Sequence, residues 1–197
     1  MSEEVRNIII YDIFEPSIYR LYQMDYDNIR FGVSERNICA RLAFHMENLM
    51  RSCSHCDLFE GYYADVEYNR MGNGDLKRYE NSEHLPQYMV ADLLIQSRGE
   101  PRNLLAVEMK RKSNYVNRDK DRKRLEALVS PMPVYNTLQC VYGTVVGAFI
   151  IYSPEKVIAD FYENVNGRGI HTGTIEFECR FEGGRFLYLE KIREDWI

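Results

Sequence analysis

The chain has 197 residues, of which 45% are hydrophobic, enough for one domain with its own core and tight for two. Its charged fraction of 28% and aromatic fraction of 13% exclude an intrinsically disordered protein. The formal net charge of -5 gives no support to nucleic-acid binding, but does not exclude it, because the local field governs binding more than the total charge. We therefore treat residues 1–197 as a single domain.

The cysteine pattern and the start of the chain predict a cytoplasmic location. The first residues, Met1 to Glu4, are acidic, whereas a secretory signal begins with basic residues. The longest apolar run, at 145–152, is far shorter than the roughly 20 residues that cross a bilayer. The odd number and irregular spacing of the cysteines predict reduced thiols. They are Cys39, Cys53, Cys56, Cys140 and Cys179.

The N-terminal part of the chain favours helices. Residues 5–24 mix an apolar run with Pro16, and we interpret them as two short helices, with a strand and a helix as the alternative. The next segment, 34–51, is an amphipathic helix with Ser34 as its N-cap. Glu35 lies on the apolar face of this helix at its leading end, where a carboxylate needs a partner or a metal ion.

Strands dominate the rest of the chain. The predicted elements are strands at 62–68, 88–97 and 103–111, a helix at 117–129, a strand at 143–153, a short helix at 154–164, and a hairpin of 170–181 with 185–192. A Gly/Asn-rich loop at 70–81 and a turn at 98–101 separate the first three strands. The order α-β-β-β-α-β predicts a three-layer α/β fold with a mixed four-stranded central sheet, an N-terminal helical extension and a C-terminal β-hairpin.

Three charged residues stand out on the second and third predicted strands. Asp92 interrupts an apolar strand, and Glu108 and Lys110 end the next one. Because side chains on a strand alternate with period 2, Glu108 and Lys110 share a face. The short turn between the strands predicts antiparallel pairing, which brings Asp92 close to Glu108.

Two neighbouring carboxylates repel each other unless a cation lies between them. Mg²⁺, a hard ion that prefers oxygen ligands, suits such a pair and lowers the pKa of a bound water. Lys110 is then placed to hold that water or to neutralise charge in the transition state. The alternative is that these acids have no catalytic role and are solvated strand residues, since the pattern E-x-K is common. The residues alone leave a metal site and a solvated edge equally open.

The same residues resemble the PD-(D/E)xK, or restriction-endonuclease-like, nuclease superfamily, and within it a group of small, poorly characterised bacterial proteins. The resemblance covers the core at about residues 30–153. Ala91 replaces the proline that names the motif, a position with no chemical role. The local matches are Ser34 to Asn37, Arg41 to Ala43, Val66 to Arg70, Asp92 to Ile95 and Leu104 to Lys110.

The resemblance implies a role for each matching residue. Asp92 and Glu108 would bind Mg²⁺, with Mn²⁺ able to substitute, and the backbone carbonyl of Met109 would be a third ligand. Lys110 would be the catalytic lysine. Glu35 would match the helix glutamate that completes the metal shell in some members, with Glu67 as a lesser candidate.

A basic run begins at the motif lysine and continues into the following predicted helix. Such residues can contact phosphates and guide a duplex to the metal, although a charge run is also typical of a solvated helix face. The candidates for nucleic-acid contacts are Lys112, Arg118, Arg122 and Lys123.

The predicted activity is metal-dependent hydrolysis of phosphodiester bonds in DNA, with RNA as the other substrate. A homodimer would suit cleavage of a duplex, although no segment demands one. The alternatives are a non-catalytic nucleic-acid-binding module on the same fold, or an interaction protein of a defence or toxin system, because a fold does not fix a function.

Overall fold

The computed structural model describes residues 3–67, 76, 78–80, 86–98, 102–131 and 143–197. Within them, the chain forms an α/β fold with an open mixed sheet and helices on both faces of it. The helices are α1 (Glu3–Asn7), α2 (Glu15–Phe31), α3 (Glu35–Ser52) and α4 (Arg118–Val129), with a π-helical segment at Ile8–Phe14 and a 3₁₀ turn at Cys56–Phe59. The strands are β1 (Tyr62–Val66), β2 (Arg78–Glu80), β3 (Pro86–Tyr88), β4 (Leu93–Ser97), β5 (Asn103–Arg111), β6 (Val146–Tyr152), β7 (Lys156–Val165), β8 (Arg168–Glu182) and β9 (Arg185–Trp196).

The main sheet of the described residues has seven strands in the order β1-β4-β5-β6-β7-β8-β9. Neighbouring strands are antiparallel except for β5 and β6, which are parallel and are joined through α4. A parallel pair needs such a crossover, whereas antiparallel pairs connect by short turns. The strands β2 and β3 form a separate small pair.

Alternate residues of β5 divide the core into two clusters. Leu105, Val107 and Met109 pack against the N-terminal helices in the larger cluster. Ala106 packs on the opposite face, in a smaller cluster with Leu125 of α4. Because a strand points successive side chains to opposite faces, one strand serves both cores, and the sheet forms the middle of three layers.

The helix predicted at 34–51 and the helical character of 5–24 are confirmed. Ser34 caps α3, its hydroxyl accepting the Asn37 amide at 3.3 Å. The earlier segment is longer than two short helices, since it stays helical from Glu3 to Phe31, with non-helical dihedral angles at Asp25.

The short helix predicted at 154–164 is wrong, because these residues form the strand β7. Val157, Ala159 and Phe161 are buried in alternation in the larger cluster. The alternation of β-branched and aromatic residues is typical of a strand. As a result, β7 joins β6 to the C-terminal hairpin, and the sheet has seven strands, whereas the prediction was four strands extended by a hairpin.

The other predicted strands correspond to observed ones with shifted ends. The strand predicted at 88–97 begins at Leu93, and residues 86–88 pair with 78–80, inside the predicted loop. The strand at 103–111, the helix at 117–129, the strand at 143–153 and the C-terminal hairpin are confirmed. The predicted turn Gly72-Asn73-Gly74 and most of the turn at 98–101 lie outside the described residues.

Two features bear on the predicted location of the protein. In the part of the chain that the structure describes, no helix combines the length and hydropathy of a membrane span. The four described cysteines, which are Cys39, Cys53, Cys56 and Cys179, are free thiols. Cys140 lies outside the described residues.

Candidate active site

Asp92 lies at the point where β4 begins to pair with β5. The first residue of β4, Leu93, is opposite Val107. One residue earlier, the chain leaves the ladder, and the Asp92 carboxylate accepts the Met109 amide at 2.8 Å. The Asp92 carbonyl in turn accepts the Glu67 amide at 3.2 Å. The side chain thus replaces a strand residue and is fixed at the end of the sheet.

Glu35 takes the next amide of β5 on the same edge. Its carboxylate accepts the Arg111 amide at 2.8 Å and the side-chain amide of Asn114 at 3.0 Å. Glu35 is the first residue of α3, where a helix N-terminus favours a negative charge. The sequence predicts that a carboxylate at this position needs a partner or a metal ion. In the structure, its partners are the Arg111 amide at the end of β5 and the Asn114 side chain.

The carbonyl of Met109 faces this edge as well. The amide and the carbonyl of one strand residue point to the same neighbour, and the Met109 amide is donated to Asp92. β4 begins only at Leu93, opposite Val107, so among the described residues no strand of this sheet pairs with Met109 on the side of Asp92. Three oxygen donors, from Asp92, Glu35 and Met109, thus follow one another along the open edge of β5.

Glu108 and Lys110 lie on the opposite face of β5, under α4. Glu108 is 1% exposed, and its Oε1 accepts a hydrogen bond from Nη1 of Arg124 at 2.5 Å. The Nζ of Lys110 lies 3.4 Å from Asp121 Oδ2. Asp121 is itself buried and lies 3.5 Å from Arg124. These residues form one charged cluster between the sheet and α4.

Burial dominates the electrostatics of this cluster. Burial raises the pKa of Glu108 well above its usual range. Arg124 lowers this pKa, and Asp92 and Asp121 raise it further. Burial also raises the pKa of Asp92, against the Met109 amide and Lys110. Burial lowers the pKa of Lys110, but Asp121, Asp92 and Glu35 outweigh it, so that this pKa is raised. The cluster thus holds two buried carboxylates, Glu108 and Asp121, beside two cations, Lys110 and Arg124.

A cavity of about 170 Å³ opens beside Asp92 on the α3 side. Glu35, Cys39 and Glu67 line it with Asp92. Glu67 has a left-handed backbone (φ 49°) and its carboxylate is paired with Arg36. Such backbone strain in a non-glycine residue is frequent at functional sites. Glu67, the lesser candidate from the sequence, thus faces the same space as Asp92 and Glu35.

The basic residues divide into two groups. Arg118 binds the carbonyls of Asn114 and Lys112 at 2.8 Å each, and so fixes the loop before α4. Arg122 lies 3.6 Å from Asp160 and packs over Phe149. Lys112 and Lys123 are exposed, and neither pairs with an acid among the described residues. Of the four predicted nucleic-acid contacts, these two lysines are free to meet a phosphate.

Sequence reasoning missed Asp121 and Arg124 as parts of the site. In the sequence, Arg124 belongs to the basic run that follows Lys110, and Asp121 is an acid within that run. Their spacing of three residues places both on one face of α4, and Leu125 and Leu128 show which face is buried. That spacing was the available signal, but the partner strand was not predictable from it.

The donor chemistry fits a hard cation. Asp92, Glu35, Glu67 and the Met109 carbonyl offer oxygen ligands, which Mg²⁺ prefers. Among the described residues, no group of three His, Cys, Asp or Glu side chains is already gathered into a metal site. Comparison of the chain with protein-family models, curated proteins and solved structures finds no match.

Proposed function

We propose that this protein is a Mg²⁺-dependent nuclease of the PD-(D/E)xK type that hydrolyses phosphodiester bonds, with DNA as the substrate and RNA as the alternative. The observation that carries the proposal is the joint between β4 and β5. There the Asp92 carboxylate accepts the backbone amide of Met109, the residue between Glu108 and Lys110. An acid, a second acid and a lysine thus lie at one strand end, a set of groups that metal-assisted phosphodiester hydrolysis can use.

The strand connections support the same proposal. Apart from the small β2–β3 pair, the order α3, β1, β4, β5, α4, β6 is α-β-β-β-α-β. The first three of these strands are antiparallel and the last pair is parallel. The same order is expected for the core that the resemblance implies. In this chain Asp92 directly precedes the second of these strands, and Glu108, Met109 and Lys110 lie on the third.

Each residue has a distinct task in the proposed reaction. Asp92, Glu108 and the Met109 carbonyl would hold the metal, with Glu35 completing its shell. When bound, Mg²⁺ neutralises the phosphate and lowers the pKa of a water. Lys110 stays protonated beside Asp121, and its ammonium orients the attacking water or offsets the charge that develops on the phosphate. Mn²⁺ should replace Mg²⁺, because both accept carboxylate and carbonyl oxygens.

The substrate reaches the site past an exposed basic surface. Lys112 follows β5 directly, and Lys120 and Lys123 lie on the exposed side of α4. These ammonium groups would contact phosphates without reading the sequence. Because the whole chain is acidic, binding is expected to be weak, and because these contacts are to phosphates, it should weaken as the salt concentration rises.

One observation favours a second function, a non-catalytic nucleic-acid-binding module or an interaction protein of a defence or toxin system. Glu108 is buried and already paired with Arg124. A protein that never binds a metal would be stabilised in this way. The intact Lys110 and the edge donors Asp92 and Glu35 favour the nuclease.

A cleavage assay separates the two functions. Plasmid, linear and single-stranded DNA and RNA would be incubated with Mg²⁺, Mn²⁺ or EDTA. The wild type would be compared with Glu108→Ala and with Glu182→Ala, an exposed acid in the C-terminal hairpin. Metal-dependent cleavage that is lost only in Glu108→Ala would support the nuclease. A folded protein that cleaves none of these substrates would favour the binding module.

A further inference from the structure

Arg124 lies where a bound cation would be expected between two buried carboxylates. Its Nη1 donates to Glu108 Oε1 at 2.5 Å, and its Nη2 lies 3.5 Å from Asp121 Oδ1. The same Nη1 also donates to the Val90 carbonyl at 3.1 Å. Glu108 is 1% exposed and Asp121 3%. The guanidinium therefore bridges two acids that water does not reach.

The chemistry of arginine makes this bridge a permanent one. A guanidinium keeps its charge at every pH in which the protein is folded, unlike a lysine in the same place. Two buried carboxylates without a cation would repel each other strongly. Arg124 thus stabilises the metal-free protein by the same neutralisation that a divalent ion would supply.

We propose that Arg124 is an internal counter-cation that competes with the divalent metal for Glu108, and so sets the metal affinity of the site. The inference rests on the proposed function. Glu108 can ligate the metal only after its Oε1 leaves the guanidinium. Asp121 is positioned to keep Arg124 when this happens, because the Nη2 of Arg124 already faces it. The exchange leaves neither the guanidinium nor Asp121 without an opposite charge.

The competition predicts an unusual direction of effect. Removing a positive charge that pairs with a metal ligand should strengthen metal binding, whereas removing a residue that merely supports the fold should weaken it or leave it unchanged. At the same time, the metal-free protein should lose stability, since Glu108 and Asp121 would be left buried with less neutralisation.

The test is calorimetric titration with Mn²⁺ of the wild type, Arg124→Gln and Arg122→Gln. Arg122 lies on the same helix and is also ion-paired, but with Asp119 and Asp160 rather than Glu108. It therefore controls for the general loss of one positive charge. We expect Arg124→Gln to bind Mn²⁺ on the order of tenfold more tightly, and Arg122→Gln to stay close to the wild type.

A thermal-unfolding series gives a second readout that does not depend on turnover. Arg124→Gln should melt at a lower temperature than the wild type without metal, and should gain more from saturating Mn²⁺. If Arg124→Gln does not fold, Arg124→Lys keeps the charge without the two-pronged bridge, and should also bind Mn²⁺ more tightly than the wild type.

The outcomes separate this inference from the proposed function. Wild-type protein that binds Mn²⁺, with Arg124 variants that bind it equally or less tightly, would overturn the inference alone. Equal strengthening in Arg124→Gln and Arg122→Gln would overturn it too, because it would reflect total charge. Failure of every variant and of the wild type to bind Mn²⁺ would overturn both.

Discussion

The carboxylates of Asp92 and Glu35 bind successive edge amides of one strand, those of Met109 and Arg111, each at 2.8 Å. Two residues along a strand correspond to about 7 Å. The two acids therefore lie side by side along β5, beyond the first residue of β4. One comes from the start of β4 and the other from the start of α3. On this edge, opposite the one that pairs with β6, the end of β5 is therefore completed by charged side chains instead of a neighbouring strand.

Glu108→Gln is expected to abolish divalent-metal binding and to keep the fold. Glutamine keeps an oxygen that can accept a hydrogen bond from the Arg124 guanidinium, but it loses the negative charge that attracts a divalent cation. We expect the free energy of unfolding to change by less than about 2 kcal/mol. Calorimetric titration with Mn²⁺ measures the loss, with the exposed Glu182→Gln as the control. Unchanged Mn²⁺ affinity in Glu108→Gln would remove Glu108 from the site.

Lys110→Ala is expected to keep the metal and to lose turnover. Lys110 contributes an ammonium beside Asp121 and no ligand oxygen. Loss of such a group costs on the order of 100-fold or more in rate. Cleavage would be measured under saturating Mg²⁺, alongside Mn²⁺ titration. Lys156→Ala is the control, since Lys156 pairs with Glu176 on the C-terminal strands. Cleavage by Lys110→Ala at the wild-type rate would contradict this role.

Glu194 is expected to contribute to stability at neutral pH and to lose this contribution in acid. Burial opposes ionisation of Glu194, but hydrogen bonds from Lys191, Tyr11 and Trp196 outweigh it and lower its pKa to about 2. A carboxyl with a lowered folded-state pKa stabilises the protein above its unfolded pKa. That stability disappears as the pH falls from about 4.3 toward about 2.

Urea unfolding of the wild type and Glu194→Gln at neutral pH and at about pH 3 checks this prediction. The stability difference between them should be about 1 kcal/mol at neutral pH, because the side chain is 27% exposed and its ion pair is screened. The difference should shrink in acid. A difference that does not change with pH would show that Glu194 acts only through packing.

Gly169→Ala is expected to destabilise the protein strongly. A methyl group at Gly169 would overlap the Glu126 carbonyl oxygen of α4, and helix backbone cannot move aside cheaply. We expect a loss of about 3 kcal/mol, measured by urea unfolding. Gly183→Ala is the contrast, because no atom lies within 4 Å there and only the positive φ costs about 1 kcal/mol. Equal losses at the two glycines would contradict close packing of β8 on α4.

Local patterns predicted several elements correctly because their signals lie within one element. Ser34 and the helical spacing after it identified α3, and the alternation around Glu182-Gly183-Gly184 identified the β8–β9 hairpin. The segment at 154–164 is predicted as a short helix, but its residues form the strand β7. Pairing with β6 on one side and β8 on the other fixes it as a strand, and these partners are not visible in the segment itself.

The sequence by itself determined that Asp92, Glu108 and Lys110 lie near one end of an antiparallel strand pair, because strand period and a short turn are local properties. Only the tertiary structure decided the partners of these residues. Arg124 and Asp121 reach Glu108 and Lys110 because α4 packs on that face of the sheet. Glu35 reaches the Arg111 amide because α3 starts beside the end of β5. Such pairings depend on how helices pack across a sheet, and segments distant in the sequence carry no local signal of that contact.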